Sequence, residues 1–431
     1  MKKRYFYLEP YVHVSRKKDD VLIYNPLNGS VLDYRRKPEI SKVLKRLTSK
    51  RNLFVIELLT RDMANPVIRS FIKEARQLFM GDLLEDNGSN RKPVQVIPGV
   101  KILQEFSPAP NEEIGIVGID LMSNIHELSF YINNNDESRF CRTGVFKNAY
   151  KQFLSPWWGG DKKEELPFPL IKKAFSDAEN SSLFRINILG EDIFSYSQFK
   201  SLTEHLNENN VIKSYYTHYK SLLDKEEQLK LIHGPEPASG NKEYKWELNV
   251  FVDFPVEKEE FVIARRIAAQ SGIHAKFHMV IRNEREFGQA ETLISRFQLE
   301  DYQFQPYFTG RNLGFFKEQV FLSREEIFEG QPSQRDILSR EMINQVNFGK
   351  LTVLSNGNVH ANVNLPSLGN IGEDSLNTIV LKEMHQKKSW FRNRSTLKPC
   401  KGCTLQYLCP SPSNYEFVIG KNDLCNVSGI N

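Results

Sequence analysis

Four of the chain's five cysteines fall within its last 32 residues, in a C-x2-C-x5-C-x15-C array. They are Cys400, Cys403, Cys409 and Cys425. The first pair has the spacing that places two sulfurs on one metal ion or cluster, and turn-forming glycine and proline residues flank it. Because four thiolates are a full ligand set for one centre, the segment predicts a single metal site.

Two structural disulfides are the alternative interpretation of four cysteines. The N-terminus has a basic start, but Glu9 and Pro10 interrupt it before an apolar region develops. No run approaches the roughly 18 apolar residues that a membrane span needs. We therefore expect a reducing, cytoplasmic location without a membrane segment, where a metal is favoured over disulfides. Zinc and an iron–sulfur cluster both suit four thiolates, and the spacing does not choose between them.

The chain is long enough for several packed domains. At 431 residues, with 40% hydrophobic and 11% aromatic residues, it should form two to four domains with proper cores. A net charge of +5 arises from 58 basic and 53 acidic residues. This small excess argues against dedicated nucleic-acid binding, and we expect no nucleic-acid partner.

Residues 1–88 have the pattern of a small α+β unit. Short β-like runs are separated by turn signals, and two helical patterns follow them. The expected strands are Tyr11–Ser15, Val21–Tyr24 and Ser30–Tyr34, and the expected helices are Pro38–Leu47 and Pro66–Leu84. The second helix would bury one apolar face that includes Ile68, Phe71 and Phe79.

The strand, turn and strand from Val21 to Ser30, followed by helices, resemble the PqqD-like recognition element of ribosomal peptide-modifying systems. That element is a small winged-helix-like unit. The resemblance implies that a leader peptide is bound as an added strand, here along an edge that carries Val31, Leu32 and Tyr34. A docking domain for another protein is the competing interpretation.

Residues 94–342 alternate strand and helix patterns, which predicts a parallel sheet or a partial (β/α) barrel. The expected strands are Glu127–Ile132, Leu183–Leu189, Ile212–His218, Trp246–Phe254, Ala275–Ile281 and Tyr302–Tyr307. Expected helices between them include Phe146–Phe153, Ser197–Leu206 and Glu257–Ala269. In such folds, the functional residues lie in loops that follow the carboxyl ends of the strands.

The loop after the first of these strands resembles the cluster loop of radical S-adenosylmethionine (SAM) enzymes, which reads C-x3-C-x-aromatic-C. The positions of that motif are Asn134, Ser138, Phe140 and Cys141, so one of the three cysteines is present. A cubane cluster that leaves one iron open for SAM needs three thiolates. The resemblance therefore implies a degenerate site without SAM.

The loop after the second strand contains Leu189, Gly190, Glu191 and Asp192. They stand where the same family has Gly-Gly-Glu-Pro, whose backbone and acid receive the amino group of SAM. Leucine in place of the first glycine would obstruct the close approach that glycine permits. The SAM-binding motif is thus expected to be degenerate as well.

Residues 343–431 resemble a SPASM domain, the auxiliary-cluster module of radical SAM peptide maturases. Asn347, Gly357 and Asn362 match its first element with both cysteines replaced, and Ser413 replaces a third. In this family the three replaced positions belong to one auxiliary cluster, whereas the four retained cysteines belong to the other. The resemblance implies one closed 4Fe–4S cluster with a structural role.

Together the three segments resemble the pseudo-radical-SAM/SPASM proteins encoded with GG-leader natural-product peptides of Bacteroidetes. That family implies a non-catalytic accessory that binds the precursor peptide, the active radical SAM maturase, or both. A second hypothesis is an enzyme that uses an acidic barrel mouth formed by Asp136, Glu137, Glu191 and Asp192. A third is a docking protein held together by zinc.

A final alternative concerns the tryptophan-rich sequence at residues 157–160, Trp-Trp-Gly-Gly. It is either a surface loop that contacts a peptide or a hydrophobic cap on the barrel.

Overall fold

The computed structural model describes residues 3–49, 51–85, 92, 94, 96, 121–134, 146–159, 164–232 and 246–427. It is a mixed α/β protein with two small antiparallel sheets near the N-terminus and one large, mostly parallel sheet. None of the helices in these ranges is long and apolar enough to cross a membrane.

The N-terminal unit contains two three-stranded sheets, with strand orders β5-β1-β6 and β2-β3-β4. The strands are β1 (Arg4–Leu8), β2 (His13–Lys17), β3 (Asp20–Tyr24), β4 (Val31–Tyr34), β5 (Val55–Glu57) and β6 (Gly81–Glu85). The helices are α1 (Pro38–Leu47), α2 (Thr60–Ala64) and α3 (Pro66–Gln77). The two sheets and α3 share one core, in which the ring of Phe71 packs edge-on against Phe6 and Tyr34.

The predicted helix Pro66–Leu84 is wrong in its second half. The α3 helix ends at Gln77, and Phe79 takes a left-handed conformation with φ of 55°. The amide of Met80 then donates to the carbonyl of Ala75 at 2.8 Å, which closes the helix end. Phe79 is therefore not a core residue, since 72% of its surface is exposed. The chain continues as β6, which pairs with β1, a strand that the sequence pattern did not predict.

The large sheet has the order β13-β12-β11-β10-β9-β7-β14-β15-β16, and β8 pairs with β7. Its strands are β7 (Glu127–Asn134), β8 (Glu164–Glu165), β9 (Arg185–Gly190), β10 (Ile212–His218), β11 (Trp246–Val252), β12 (His274–Ile281), β13 (Tyr302–Pro306), β14 (Lys350–Val353), β15 (Asn358–His360) and β16 (Gly369–Asn370). The seven strands from β13 to β14 are parallel. The sequence pattern predicted this parallel arrangement and the approximate positions of β7 and of β9 to β13, but not the short strand β8.

Helices connect the strands and extend beyond the sheet. They are α4 (Phe168–Asp177), α5 (Phe199–Asn207), α6 (Glu226–Ile232), α7 (Lys258–Gln270), α8 (Glu284–Phe297), α9 (Leu313–Gln319), α10 (Arg324–Glu329), α11 (Gln334–Met342), α12 (Leu376–Gln386) and α13 (Asn414–Ile419). The expected helix Phe146–Phe153 is instead an irregular segment with a 3₁₀ turn at Ala149–Lys151.

Alternate residues of the parallel strands enter two different environments. One face of the sheet carries aliphatic and aromatic residues that pack on the helices and form the largest core. The opposite face is polar towards the amino ends of the strands. There, Asn187 of β9 donates to Glu127 and Ser129 of β7, at 2.6 and 2.9 Å. Towards the carboxyl ends, the same face becomes aromatic.

The N-terminal unit packs directly on the cysteine-rich segment. Leu22 and Tyr24 of β3 share a core with Ile337 of α11 and with Leu405 and Leu408. An ion pair between Asp33 of β4 and Arg324 of α10 lies beside this core. The chain's first and last units are thus neighbours in space.

Candidate metal centre and the carboxyl edge of the sheet

The structure brings the four C-terminal cysteines together around one cavity. Cys400, Cys403, Cys409 and Cys425 all line it, with Arg394 and apolar side chains completing the wall. All four are free thiols, so the two-disulfide alternative has no support in this structure. Cys400 is buried, and the other three are partly buried.

Short backbone turns fix the position of the first three cysteines. Cys400 opens a 3₁₀ turn that ends at Gly402, and the amide of Cys403 donates to the carbonyl of Cys400 at 2.9 Å. The amide of Leu405 points at the sulfur of Cys403, with a nitrogen–sulfur distance of 3.4 Å. The amide of Cys409 in turn donates to the carbonyl of Leu405 at 2.9 Å. An amide that donates to sulfur, as that of Leu405 does, stabilises a metal-bound thiolate.

Cys425 comes from a separate stretch of chain that a single β-bridge holds in place. It pairs with Leu322, and the amide of Asn426 donates to the carbonyl of Leu322 at 2.9 Å. The fourth sulfur therefore depends on the residues just before α10, far from the C-x2-C pair in sequence.

Burial raises the pKa of the Cys400 and Cys403 thiols, and it raises that of Cys409 to about 12. In the described part of the chain, no group of three or more His, Cys, Asp or Glu side chains is arranged as the ligands of one metal ion. The donor set itself, four sulfurs in one cavity, fits thiolate-bound iron or zinc.

A buried ion pair adjoins the cysteines. The Arg394 guanidinium bonds to the Glu416 carboxylate at 3.0 Å, and only 10% and 2% of these side chains are exposed. Arg394 also donates to the carbonyls of Pro410 and Asn422, at 2.6 and 3.0 Å, and approaches the Cys400 sulfur at 3.7 Å. Burial opposes the charge of Arg394, but Glu416 and the neighbouring thiols outweigh this effect and raise its pKa. The sequence analysis missed this pair, because arginine and glutamate 22 residues apart form no recognisable motif.

The three positions where the SPASM resemblance expects cysteines are Asn347, Asn362 and Ser413. They lie in a polar region that contains several hydrogen bonds. Ser413 caps helix α13, and its amide and hydroxyl both donate to Glu416. Asn362 donates to Asn414 at 2.7 Å, which places it beside Ser413. Asn347 is buried, and its backbone amide donates to the side-chain oxygen of Asn344 at 3.1 Å. The side-chain amide of Asn344 donates to the carbonyl of Pro412 at 2.9 Å. The serine at position 413 thus supports Glu416, and through it Arg394.

The carboxyl edge of the large sheet is filled by residues 146–159, which we call the aromatic plug. Phe146, Ala149 and Trp157 of the plug are buried. Trp157 stacks on Phe146 with a centroid distance of 4.6 Å and packs edge-on against Phe251 of β11 at 5.7 Å. Side chains from the ends of the parallel strands complete this cluster, namely Tyr131, Leu189, Tyr216, Phe251 and Val280. The tryptophan at position 157 therefore belongs to a hydrophobic cap, one of the two predicted alternatives.

Polar contacts tie the plug to the rest of the molecule. The side-chain amide of Gln152 donates to the carbonyl of Phe308 at 2.9 Å, and its oxygen accepts the amide of the same residue at 2.7 Å. Asn364 donates to the carbonyl of Lys151 at 2.7 Å. At Gly159, an added Cβ would lie 2.4 Å from the carbonyl oxygen of Lys147, so the chain approaches itself too closely there for any side chain.

The motif from Leu189 to Asp192 lies at the end of β9, under the plug. Leu189 is fully buried in the aromatic cluster, and Gly190 pairs with Asn133 of β7. A Cβ at Gly190 would lie 2.2 Å from the side-chain oxygen of Asn133, which gives this glycine a packing role. Asp192 caps the amide of Phe194 at 3.1 Å, and burial raises its pKa.

The remaining predicted motif positions fall partly outside the described residues. Asn134 is buried at the end of β7, opposite Glu164 of β8. Ser138, Phe140 and Cys141, as well as Asp136 and Glu137, are outside the described ranges. Of the four acids proposed for a barrel mouth, the structure describes Glu191, which is buried, and Asp192.

His218 and His278, on two strands of the large sheet, each bond to a neighbouring polar side chain. His218 bonds through Nε2 to Asp253 at 2.8 Å, and its Nδ1 accepts the amide of Lys220 at 3.3 Å. His278 bonds to Asn249 at 2.8 Å and stacks on Phe251. Both histidines are buried residues of the sheet.

The predicted peptide-binding edge lies on β4, which pairs with β3 on one side. Leu32 is buried in the N-terminal core, and Val31 packs on the core shared with the cysteine-rich segment. The Tyr34 hydroxyl donates to Glu74 of α3 at 2.6 Å. Helix α3 therefore lies beside this strand.

No protein-family model matches the chain, and no curated protein matches its sequence. Among solved structures, the chain is similar to Streptococcus suis SuiB bound to precursor peptide SuiA, with 13% identity, a TM-score of 0.48 and 98% coverage of both chains. It is also similar to SuiB bound to S-adenosylmethionine, with 12% identity, a TM-score of 0.39 and 99% coverage of both. For anSMEcpe with bound AdoMet, the identity is 14%, the TM-score is 0.42, and coverage is 66% of this chain and 84% of the other. We draw no conclusion about activity from likenesses this distant.

Proposed function

We propose that this chain is a non-catalytic accessory of a ribosomal peptide maturation system. In this proposal it binds the precursor peptide, an active radical SAM maturase, or both, and holds one structural 4Fe–4S cluster on its four C-terminal cysteines. It does not cleave SAM. The observation that carries the proposal is the contrast between a cavity lined by four thiols and a sheet edge filled by the protein's own aromatic side chains.

The state of the sheet edge supports the absence of catalysis. In parallel α/β folds, cofactors and substrates bind beyond the carboxyl ends of the strands. Here Trp157 and Phe146 occupy that region, and Leu189, which stands where the resemblance expects a glycine, is sealed beneath them. A small molecule bound there would have to displace a packed aromatic cluster, which is costly.

The resemblance of the C-terminal segment to a SPASM domain, in which these four cysteines bind an auxiliary cluster, favours a cluster over a single zinc ion. Zinc requires four sulfurs at about 2.3 Å from one point. The four cysteines line one cavity. A cubane is larger and is held by more widely separated thiolates. When bound, it would link the C-x2-C turn, Cys409 and Cys425 and so stabilise this segment.

The contact between the N-terminal unit and the cysteine-rich segment supports a structural role for this centre. Cys403 and Cys409 pack against the core that Leu22 and Tyr24 complete. A centre that fixes these cysteines also fixes the surface on which the N-terminal unit rests. Loss of the centre would then weaken peptide binding indirectly.

The proposal is tested by two assays on the anaerobically purified chain. The first measures 5′-deoxyadenosine after incubation with SAM and dithionite, and we expect none above a no-protein control. The second measures binding of a GG-leader precursor peptide of the kind that the resemblance implies, and we expect saturable binding. SAM cleavage would establish an enzyme instead, and the absence of binding to both the precursor and the maturase would remove the accessory role.

A further inference from the structure

A groove on the N-terminal unit carries features of a second peptide site, away from the edge of β4. It lies between α3 and β6, has a volume of about 700 Å³, and is open to solvent. Apolar side chains of Tyr7, Ile72 and Phe79 line it, and Phe79 is 72% exposed.

One wall of the groove is an edge strand. Within the described residues, β6 pairs with β1 alone, and Leu83 stands opposite Phe6 in that antiparallel ladder. The amide of Leu83 is bonded to the side-chain oxygen of Asp82 at 2.7 Å. This amide therefore points away from β1, and the alternation of an antiparallel ladder aims the backbone groups of Gly81 in the same direction. An edge of this kind accepts an added strand, which here would take the place of the Asp82 carboxylate at the Leu83 amide.

The other wall is basic. Arg69, Lys73 and Arg76 lie on one exposed stripe of α3, at helical spacings of four and three residues. Arg76 pairs with Asp82 at 2.6 Å. The groove's other acid, Glu9, lies near Tyr7 and Tyr11, and burial together with the charge of Glu9 raises the pKa of both phenols.

The Asp82 carboxylate already makes the contacts that an acidic ligand would make. It accepts the edge amide of Leu83 and pairs with the stripe through Arg76. Lys73 and Arg69 lie about one and two turns before Arg76 on α3, and both present a positive charge to the same groove. The helix rises about 1.5 Å per residue, so these two cations are about 6 Å apart along its axis. Two residues of an extended strand span nearly the same distance, about 6.6 Å.

We propose that the groove between α3 and β6 binds an extended acidic peptide as an added strand on β6. Acidic residues at alternate positions pair with Lys73 and Arg69, and the intervening side chains contact Tyr7 and Phe79. This inference deepens the proposed function, on which it rests for the idea that the chain binds peptides, and it does not depend on the metal centre.

The test uses a fluorescein-labelled ten-residue peptide of alternating glutamate and valine, measured by fluorescence anisotropy with the full-length protein. Of two matched probes, one replaces glutamate with lysine, and the other carries N-methylated backbone amides that cannot pair with a strand. We expect saturable binding of the first probe alone, weakened at least tenfold by 0.5 M salt, since exposed ion pairs are screened. No binding of the acidic probe, or equal binding of the lysine or N-methylated probe, would overturn the proposal.

A charge reversal locates the site. We expect Arg69→Glu/Lys73→Glu to weaken binding of the acidic probe at least tenfold. If that variant folds poorly, Arg69→Gln/Lys73→Gln replaces it, and we expect a smaller loss of binding. The matched control is Lys42→Glu/Lys45→Glu, which makes the same change of net charge on exposed positions of α1 and should leave binding within twofold. Equal losses in both pairs would mean non-specific attraction and contradict the proposal.

The same variants separate this inference from the proposed function. If the natural precursor binds and the reversal on α3 changes neither its affinity nor that of the acidic probe, the groove assignment is wrong and the accessory role stands. If the acidic probe binds through Arg69 and Lys73 while the precursor and maturase do not bind, the groove is correct and the accessory role is wrong.

Discussion

The cysteine-rich segment and the carboxyl edge of the large sheet are two places where such a chain could hold a cofactor, and they are built in opposite ways. Cys400, Cys403, Cys409 and Cys425 line one cavity, and Arg394 adds a buried positive charge beside them. At the sheet edge, the plug fills the available space with aromatic rings.

The two regions obtain their stability from different sources. The aromatic plug is held by contacts that the chain supplies itself, including the Gln152 clamp on Phe308. The cysteine segment has short turns and few regular elements, so the proposed bound group would add to the stability of this segment. Variants at the two places should therefore fail in different ways.

The largest expected effect is that of Cys403→Ala. Removing one of four ligands should abolish most metal binding and unfold the C-terminal segment, because metal binding and folding are coupled in closed thiolate sites. Iron content, limited proteolysis and circular dichroism on the anaerobic protein measure both consequences. The matched variant is Cys141→Ala, which removes a cysteine of the degenerate loop and should leave metal content, stability and peptide binding almost unchanged. A large loss from Cys141→Ala would contradict the interpretation of that loop as inactive.

Trp157→Ala tests the other side of the comparison. Deleting this buried ring should lower the free energy of unfolding by about 3–5 kcal/mol, the usual cost of a large aromatic cavity. Urea unfolding measures the loss, and metal content should remain at the level of the unmodified chain. The control is Phe184→Ala at a half-exposed ring, which should cost less than about 1 kcal/mol. If Trp157→Ala is as mild as its control, the sheet edge is not filled as described.

Arg394→Met should cost about 3 kcal/mol, because it leaves Glu416 buried without its partner. The double change Arg394→Met/Glu416→Met should recover part of this loss, since it removes both charges together. Chemical unfolding of the two variants and of Glu416→Met completes a double-mutant cycle. Strictly additive effects would mean that the pair does not act as a unit beside the cysteines.

The smallest expected effect is that of His278→Gln on the pH dependence of the free energy of unfolding. Burial lowers the pKa of His278 to about 3, so the folded chain holds this side chain neutral at pH values where the unfolded chain, with a pKa near 6.5, binds a proton. This contribution to stability is full above about pH 6.5 and falls as the pH drops. Between pH 7 and 5.5 the loss should be about 1 kcal/mol. Unfolding of the His278→Gln variant over this range should lack that component, whereas an unchanged pH dependence would contradict the assignment.

The sequence predicted six of the seven parallel strands of the large sheet, all but β14, because each of the six is an apolar or alternating run between clear turns. It failed where one residue decides the local path. Phe79 is apolar and fits the helical stripe of α3, but its left-handed conformation ends the helix and starts β6. The plug was predicted as a helix because its apolar spacing is helical, whereas contacts with the sheet edge determine its irregular path.

The candidate metal site was predictable from spacing, since the C-x2-C-x5-C array places three sulfurs within one short loop. That Cys425 reaches the same cavity depends on its bridge to Leu322, which no local pattern contains. The Arg394–Glu416 pair and the groove beside β6 depend on tertiary packing alone. The metal bound by the four thiols and the inactivity of the degenerate loop stay predictions.

The most direct test of the central claim is the iron, acid-labile sulfide and zinc content of the chain, purified anaerobically without reconstitution, with an electronic spectrum before and after SAM. We predict about four irons and four sulfides per chain and a spectrum that SAM does not change, as one closed cluster requires. Zinc alone would reduce the centre to a single-ion structural site. About eight irons with a SAM-dependent spectrum would contradict the account, because a second, SAM-binding cluster would then be present.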